Sequence, residues 1–236
     1  MEHVGSAAAR HYAFADFGTP GMNPEDFDAT SLDGIAEIVT TGDSTVRLWT
    51  LTGQLLLQST TSGGGPVTIG DFDNDGFPEI ATAGGTYYGV YDLECKDAGP
   101  GCLGNYFRWS QPSQDASSST TGSSIFDFEG DGRAEAVYAD ECYSRVYDGL
   151  SGEVLYSAYR TSCTWYENAI VADVDNDDRS EIVVNSNNNC NVNCPAIDPI
   201  HRGVPCEDNA GCLSGVCDQG YCRCMANEEC PLDHVC

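Results

Sequence analysis

The sequence predicts an all-β fold in which a four-stranded antiparallel unit recurs along the chain, followed by a small disulfide-rich C-terminal module. Three observations point there. A short apolar segment ending in aspartate occurs four times, as "HYAFADF", "PVTIGDF", "GSSIFDF" and "NAIVADV", placing Asp16, Asp71, Asp127 and Asp173 at intervals of 55, 56 and 46 residues. Behind each comes a second segment rich in strand-forming residues, "AEIVTT", "PEIATA", "AEAVYA" and "SEIVVN". Nowhere does the chain carry the apolar spacing of a long amphipathic helix.

Taken in order, the first unit continues through "STVRLWTLTGQLLLQS", the second through "TYYGVYDLE" and "NYFRWSQ", and the third through "YSRVYDGLSGEVLYSAY". The "TG" and "SG" pairs within them suit hairpin turns. Each complete unit therefore reads as about four antiparallel strands, and such sheets repeated at this period build a β-propeller. In the fourth unit the outer strands expected after "EIVVNSNNN" are replaced by "CNVNCPAIDPIHRGV". Residues 1–203 thus hold about three full blades and one partial blade. Either strands upstream of Met1 in a longer parent complete the ring, or the N-terminal segment pairs with the incomplete blade.

The charge balance narrows the partners. Ten Lys and Arg stand against 37 Asp and Glu, a net charge of −27 over 236 residues, which opposes nucleic acid and anionic lipid and favours cations. With 41% hydrophobic and 10% aromatic residues the chain is too apolar for a disordered acidic tail.

Thirteen cysteines, seven of them from Cys206 to Cys236, imply an oxidising compartment and disulfides, hence a secreted or cell-surface protein. The start, "MEHVGSAAARHYAF", shows no signal peptide, and no apolar run is long enough to span a membrane, so the expectation is a piece of a longer exported protein. Residues 204–236 form the Cys-rich module, in which a C-x5-C-x4-C-x4-C run is followed by a copy cut short, and which would serve as a stalk or spacer. Without C-x2-C pairs or suitably spaced histidines, a zinc site is a poor fit there. Earlier cysteines are expected to pair locally: Cys95 with Cys102, Cys142 with Cys163, and Cys190 with Cys194.

The chemistry lies in the loops that follow the repeated aspartates. "DFDNDGFPE", "DFEGDGRAE" and "DVDNDDRSE" place carboxylates at loop positions 1, 3, 5 and 9. Together with a carbonyl at position 7 these oxygens can converge on one hard cation, whose charge offsets their mutual repulsion. Gly76 and Gly132 occupy position 6, where the chain must turn sharply, and Asp178 replaces glycine in the fourth unit. Calcium suits such a set better than magnesium, which demands a rigid octahedron. An EF-hand is excluded because position 12 is Thr82, Tyr138 or Val184 rather than glutamate, and both flanks read as strands. Solvated Asp/Gly turns are the plain alternative, weakened by three loops falling in register.

Strand, D-x-D-x-D-G-x-x-[DE], strand, then a Gly- or Tyr-bearing hairpin resembles the FG-GAP and VCBS repeats that form calcium-loop blades of integrin α-subunit propellers and bacterial surface proteins, over roughly residues 10–190. The resemblance implies one Ca2+ held by Asp71, Asp73, Asp75, the Phe77 carbonyl and Glu79. It implies a second at Asp127, Glu129, Asp131, the Arg133 carbonyl and Glu135, and a third at Asp173, Asp175, Asp177, the Arg179 carbonyl and Glu181. In the first unit about thirteen extra residues separate Asp16 from Asp33-Gly34; Asp16, Asp33 and Glu37 keep positions 1, 5 and 9 of a fourth site, with Asp28 or Asp26 as the missing ligand.

No catalytic constellation competes with the metal. His3, His11, His201 and His234 are scattered, and G-x-S-x-G, H-E-x-x-H and phosphate-loop motifs are absent. The expected role is a non-catalytic extracellular module for adhesion, scaffolding or protein recognition, binding calcium and an extracellular protein or glycan. A carbohydrate-binding lectin, or part of a secreted polysaccharide hydrolase or lyase, is the alternative, resting on Trp49, Trp109, Trp165 and twelve tyrosines that would stack on sugars if they do not fill the core.

Overall fold

In the computed structural model the described residues are 11–60, 64–163, 167–187, 192–195 and 198–200, with the backbone at 217–218 and 221–222. Strands β1 (His11–Ala15), β2 (Glu37–Gly42), β3 (Thr45–Trp49) and β4 (Leu55–Thr60) form the first antiparallel sheet, in that order. The second contains β5 (Thr68–Gly70), β6 (Glu79–Ala83), β7 (Tyr87–Tyr91) and, beyond a small hairpin of β8 (Ala98–Gly99) and β9 (Cys102–Leu103), β10 (Phe107–Pro112). The third is β11 (Ser123–Phe126), β12 (Glu135–Ala139), β13 (Tyr143–Tyr147) and β14 (Val154–Tyr159), followed by a two-stranded pair, β15 (Ile170–Ala172) and β16 (Glu181–Val183). A single 3-10 turn, Pro24–Asp26, is the helical content among the described residues. The all-β expectation of repeated four-stranded antiparallel sheets is borne out.

Alternation along the inner strands builds the core between successive sheets. Ile80 joins Val39, Val46 and Leu48 of the first sheet, whereas its neighbour Ala81 meets Ala136 and Tyr138 of the third. Val137, one residue along, faces Ala169, Val171 and Ile182 of the last pair. Because side chains alternate faces, one central strand serves two apolar layers, and β6 and β12 are buried throughout. Tyr88 stacks on Tyr138 with ring centroids 4.6 Å apart, and Trp109 on Tyr147 at 5.7 Å, while the Trp109 indole N–H donates to the Gly149 carbonyl at 2.6 Å. Trp109 thus belongs to the core; Trp49 is half-buried, and Trp165 lies outside the described residues.

All three sheets share a bulge where the third strand meets the fourth. Leu48 pairs with Leu57 but Trp49 with Leu55; Val90 pairs with Trp109 but Tyr91 with Phe107; Val146 pairs with Tyr156 but Tyr147 with Val154. The residues left over are Leu56, Arg108 and Leu155, re-aimed by the extra residue in their strand.

Disulfides confirm one expected pairing and correct the other two. Cys95 bonds Cys102, closing the insertion between β7 and β10. Cys142 bonds Cys194 rather than Cys163, so Cys194 is not the partner of Cys190; Cys163 is itself disulfide-bonded. The physical reason is a return of the chain along the third sheet. The Asp198 carboxylate takes a two-point bond from the buried Arg145 guanidinium, at 2.5 and 3.0 Å, and another from the Ser157 hydroxyl, while Tyr143 donates to the Pro195 carbonyl. These bonds lay residues 192–195 and 198–200 beside β13 and bring Cys194 to the β12–β13 turn. Of the expected Cys-rich module, the described part is one two-stranded ladder, β17 (Cys217–Asp218) with β18 (Tyr221–Cys222).

Candidate metal centre

Each of the four loops joins the first strand of its unit to the second, and all are folded by one hydrogen-bond scheme. The position-1 carboxylate accepts from backbone N–H groups further along. Asp71 takes those of Asn74 at 2.6 Å and Gly76 at 3.0 Å, Asp127 those of Gly130 and Gly132, and Asp173 those of Asn176 and Asp178. The position-5 carboxylate accepts from position 7, as Asp75 does from Phe77, Asp131 from Arg133 and Asp177 from Arg179, at 2.8 to 3.0 Å. Position 9 accepts from position 2: Glu79 from Phe72, Glu135 from Phe128 and Glu181 from Val174.

The first unit keeps the scheme across its insertion. Asp16 accepts from Gly34 at 2.6 Å, Asp33 from Ile35 and Glu37 from Phe17. The scheme requires left-handed backbone at position 6, where Gly34, Gly76 and Gly132 have φ of 81, 88 and 90° and Asp178 has 66°. Glycine reaches this region without strain and aspartate tolerates it better than most, which accounts for the residue types read at that position.

The scheme gathers carboxylates. Those of Asp71, Asp73 and Glu79 lie within 4.8 Å of one another, as do those of Asp173, Asp175 and Glu181. Asp75 and Asp177 stay outside these groups, exposed on the turn. In the third loop Glu129 hydrogen-bonds Glu135, while Asp131 is engaged by the Arg133 side chain at 2.7 Å. In the first, Asp26 and Asp28 are occupied inside the insertion, by Asn23 and Thr30 respectively.

Burial makes the position-9 glutamates demanding. Glu79 is 1% exposed, and desolvation, opposed by the Phe72 N–H bond and reinforced by Asp73, Asp92 and Asp75, pushes its pKa up to about 9. Burial likewise lifts Glu135 to about 7, with Glu129 and Asp127 adding to it, and raises Glu37. A buried carboxylate surrounded by others either keeps its proton or acquires a cation. The donors are hard oxygens throughout, as calcium requires.

Two further residues belong to the second loop and were not singled out from sequence. The Arg108 guanidinium bonds Asp73 and lies 2.6 Å from Asp92. It is a fixed cation standing where the acidic group draws positive charge, so these residues fit an ion. Asp73 is nonetheless raised, because desolvation outweighs Arg108. A charged residue at a strand bulge was the available signal, legible only once the three bulges are aligned.

Residues 26–82 match the model of the FG-GAP-like repeat family, a stretch running from the insertion through β2, β3 and β4 to the second loop and β6. No curated protein matches the chain. Among solved structures, the crystal structure of the V. cholerae biofilm matrix protein Bap1 is similar, with 21% identity and a TM-score of 0.41, over 66% of this chain and 25% of that one. The chain therefore spans about a quarter of the length of that protein.

Proposed function

We propose that this chain is a calcium-stabilised, non-catalytic extracellular repeat module, its sheets arranged as β-propeller blades, acting in adhesion, scaffolding or protein recognition. The observation that carries the reading is the common loop scheme, which in two units draws three carboxylates within 4.8 Å of one another. Calcium would be held at 71–79 by Asp71, Asp73 and Glu79 and at 173–181 by Asp173, Asp175 and Glu181. The position-5 carboxylates Asp75 and Asp177 and the carbonyls of Phe77 and Arg179 would complete the shells. Loop 127–135 would take a third ion once the Glu129–Glu135 hydrogen bond opens, and Asp16, Asp33 and Glu37 frame a fourth site.

Disulfides among the described residues support an oxidising, extracellular setting. The net charge of −27 supports cations over nucleic acid as partners, and no helix among the described residues is long and apolar enough to cross a membrane. The burial of Trp109, Tyr88, Tyr138 and Tyr147 favours packing over sugar stacking for these rings. Residues 204–236 would form a separate disulfide-held spacer.

Calorimetric titration with calcium chloride tests the reading. Binding in the range of about 10⁻⁴ to 10⁻³ M is expected, with each independent site adding roughly 2.7 kcal/mol of stability at a hundredfold excess over Kd. Absence of binding heat together with an unchanged melting temperature in chelator would remove it.

A further inference from the structure

We infer that Arg108 sets the cation affinity of loop 71–79 apart from that of its repeats, by holding the position of the ion's charge until the ion arrives. This rests on the calcium reading above.

The bulge residue of the fourth strand is Leu56 in the first sheet and Leu155 in the third, but Arg108 in the second. Its side chain is 10% exposed, and one terminal nitrogen is shared between the carboxylates of Asp73 and Asp92. Its Nε is buried without an acceptor, and among the described residues its ion pairs are those with these two acids. Asp92 is a fixed post: its N–H donates to the Tyr106 carbonyl at 2.9 Å, and its second oxygen accepts from Glu94 at 2.7 Å. The Cys95–Cys102 disulfide closes the segment behind it. Loop 173–181 draws the same three carboxylates together, and among the described residues no ion pair reaches them.

A calcium ion taking Asp73 as ligand must therefore compete with Arg108, which can retreat onto Asp92 without leaving the site. A unit positive charge about 5 Å from a divalent ion weakens its binding by roughly tenfold even under bulk-water screening, and by more where the site is buried. Loop 173–181 consequently fills before loop 71–79, and Arg108 keeps the second loop folded when calcium is scarce.

Hydrogen exchange on the intact chain, followed loop by loop during titration with calcium chloride, tests this. Amides of 173–181 should gain protection at a calcium concentration about tenfold or more below that needed for 71–79. Arg108→Leu, the residue type of the other two bulges, should lower the midpoint of loop 71–79 by about tenfold, whereas Asp92→Asn should raise it by leaving Arg108 only Asp73. A salt bridge with a merely structural role would shift both variants in the same direction. Arg108→Gln, which keeps hydrogen bonding without charge, should follow Arg108→Leu if the leucine variant fails to fold. Protection of loop 71–79 that none of the variants moves, or that both charge changes move alike, overturns the inference while leaving calcium binding intact. If neither loop gains protection in millimolar calcium in any variant, the calcium reading falls first and takes the inference with it.

Discussion

Replacing Glu79 by glutamine should separate the proton from the cation as the partner of the buried second loop. Glu79 is 1% exposed, and its pKa stands at about 9 in the metal-free fold. The unfolded chain ionises it near the ordinary value of 4.5. A carboxylate raised on folding contributes stability that is complete below about pH 4.5 and is lost as pH rises toward 9. The loss is about 1.4 kcal/mol per pH unit for this group, hence up to about 3 kcal/mol by pH 7. Glu135, raised only to about 7, adds a smaller loss of the same sign because its pKa rises less on folding.

Glutamine keeps the oxygen that accepts the Phe72 N–H and never ionises. In chelator, Glu79→Gln should therefore be more stable than the parent at pH 7 by as much as about 3 kcal/mol, several degrees in melting temperature. In millimolar calcium the order should reverse, because the parent exchanges its proton for an ion that the amide binds poorly. Urea denaturation between about pH 5 and pH 7, with and without calcium, reads both effects. A metal-free parent whose stability stays level or climbs over that interval, with the glutamine variant tracking it, would refute the reasoning.

Other predictions concern single parts. Asp75→Ala should reduce the calorimetric stoichiometry by one ion while leaving the remaining sites filled, and unchanged stoichiometry would count against its ligand role. Cys142→Ser should cost about 4 kcal/mol in the chain-entropy picture for a bridge of separation 52, with residues 192–195 losing exchange protection before β12 and β13. Asp198→Ala leaves Arg145, 4% exposed, with Asp140 as its remaining carboxylate, and should cost about 3–5 kcal/mol by thermal denaturation. Trp109→Ala should destabilise by about 3–5 kcal/mol without altering calcium stoichiometry, as befits a ring in the core.

The four strand-loop-strand units were legible because period-two alternation and the D-x-D-x-D-G spacing are local features of the chain. The left-handed turn at position 6 was equally local, and Asp178 adopts it as glycine does. What sequence order does not carry is contact between residues far apart in the chain. Arg108 reaches Asp73 from 35 residues away and only because a bulge re-aims it; Asp198 reaches Arg145 across 53. The disulfide assignment failed for the same reason. Cys163 is near Cys142 in the chain, but the return of residues 192–195 and 198–200 along the third sheet presents Cys194 instead.

The loops also differ in how tightly they are coupled to the core, through the residue at position 2. Phe17 and Phe72, at 1% and 0% exposure, fill the layers between the first and second and between the second and third sheets. Phe128, at 37%, faces a neighbour of only two strands, and Val174, at 61%, has no sheet beyond it among the described residues. Since the position-9 glutamate accepts the N–H of this same residue, a cation on the glutamate would tighten the backbone that seats the ring. Capture at 71–79 would thereby be linked to a buried Phe worth about 1.5–3 kcal/mol, whereas capture at 173–181 would be linked to a side chain already in water. Glu181→Gln should accordingly abolish one bound calcium with little change in melting temperature, while Glu79→Gln should abolish one and forfeit most of the calcium-dependent stabilisation. Equal thermal shifts from the two variants in saturating calcium would show that the ion acts on each loop alone and not through the sheet behind it.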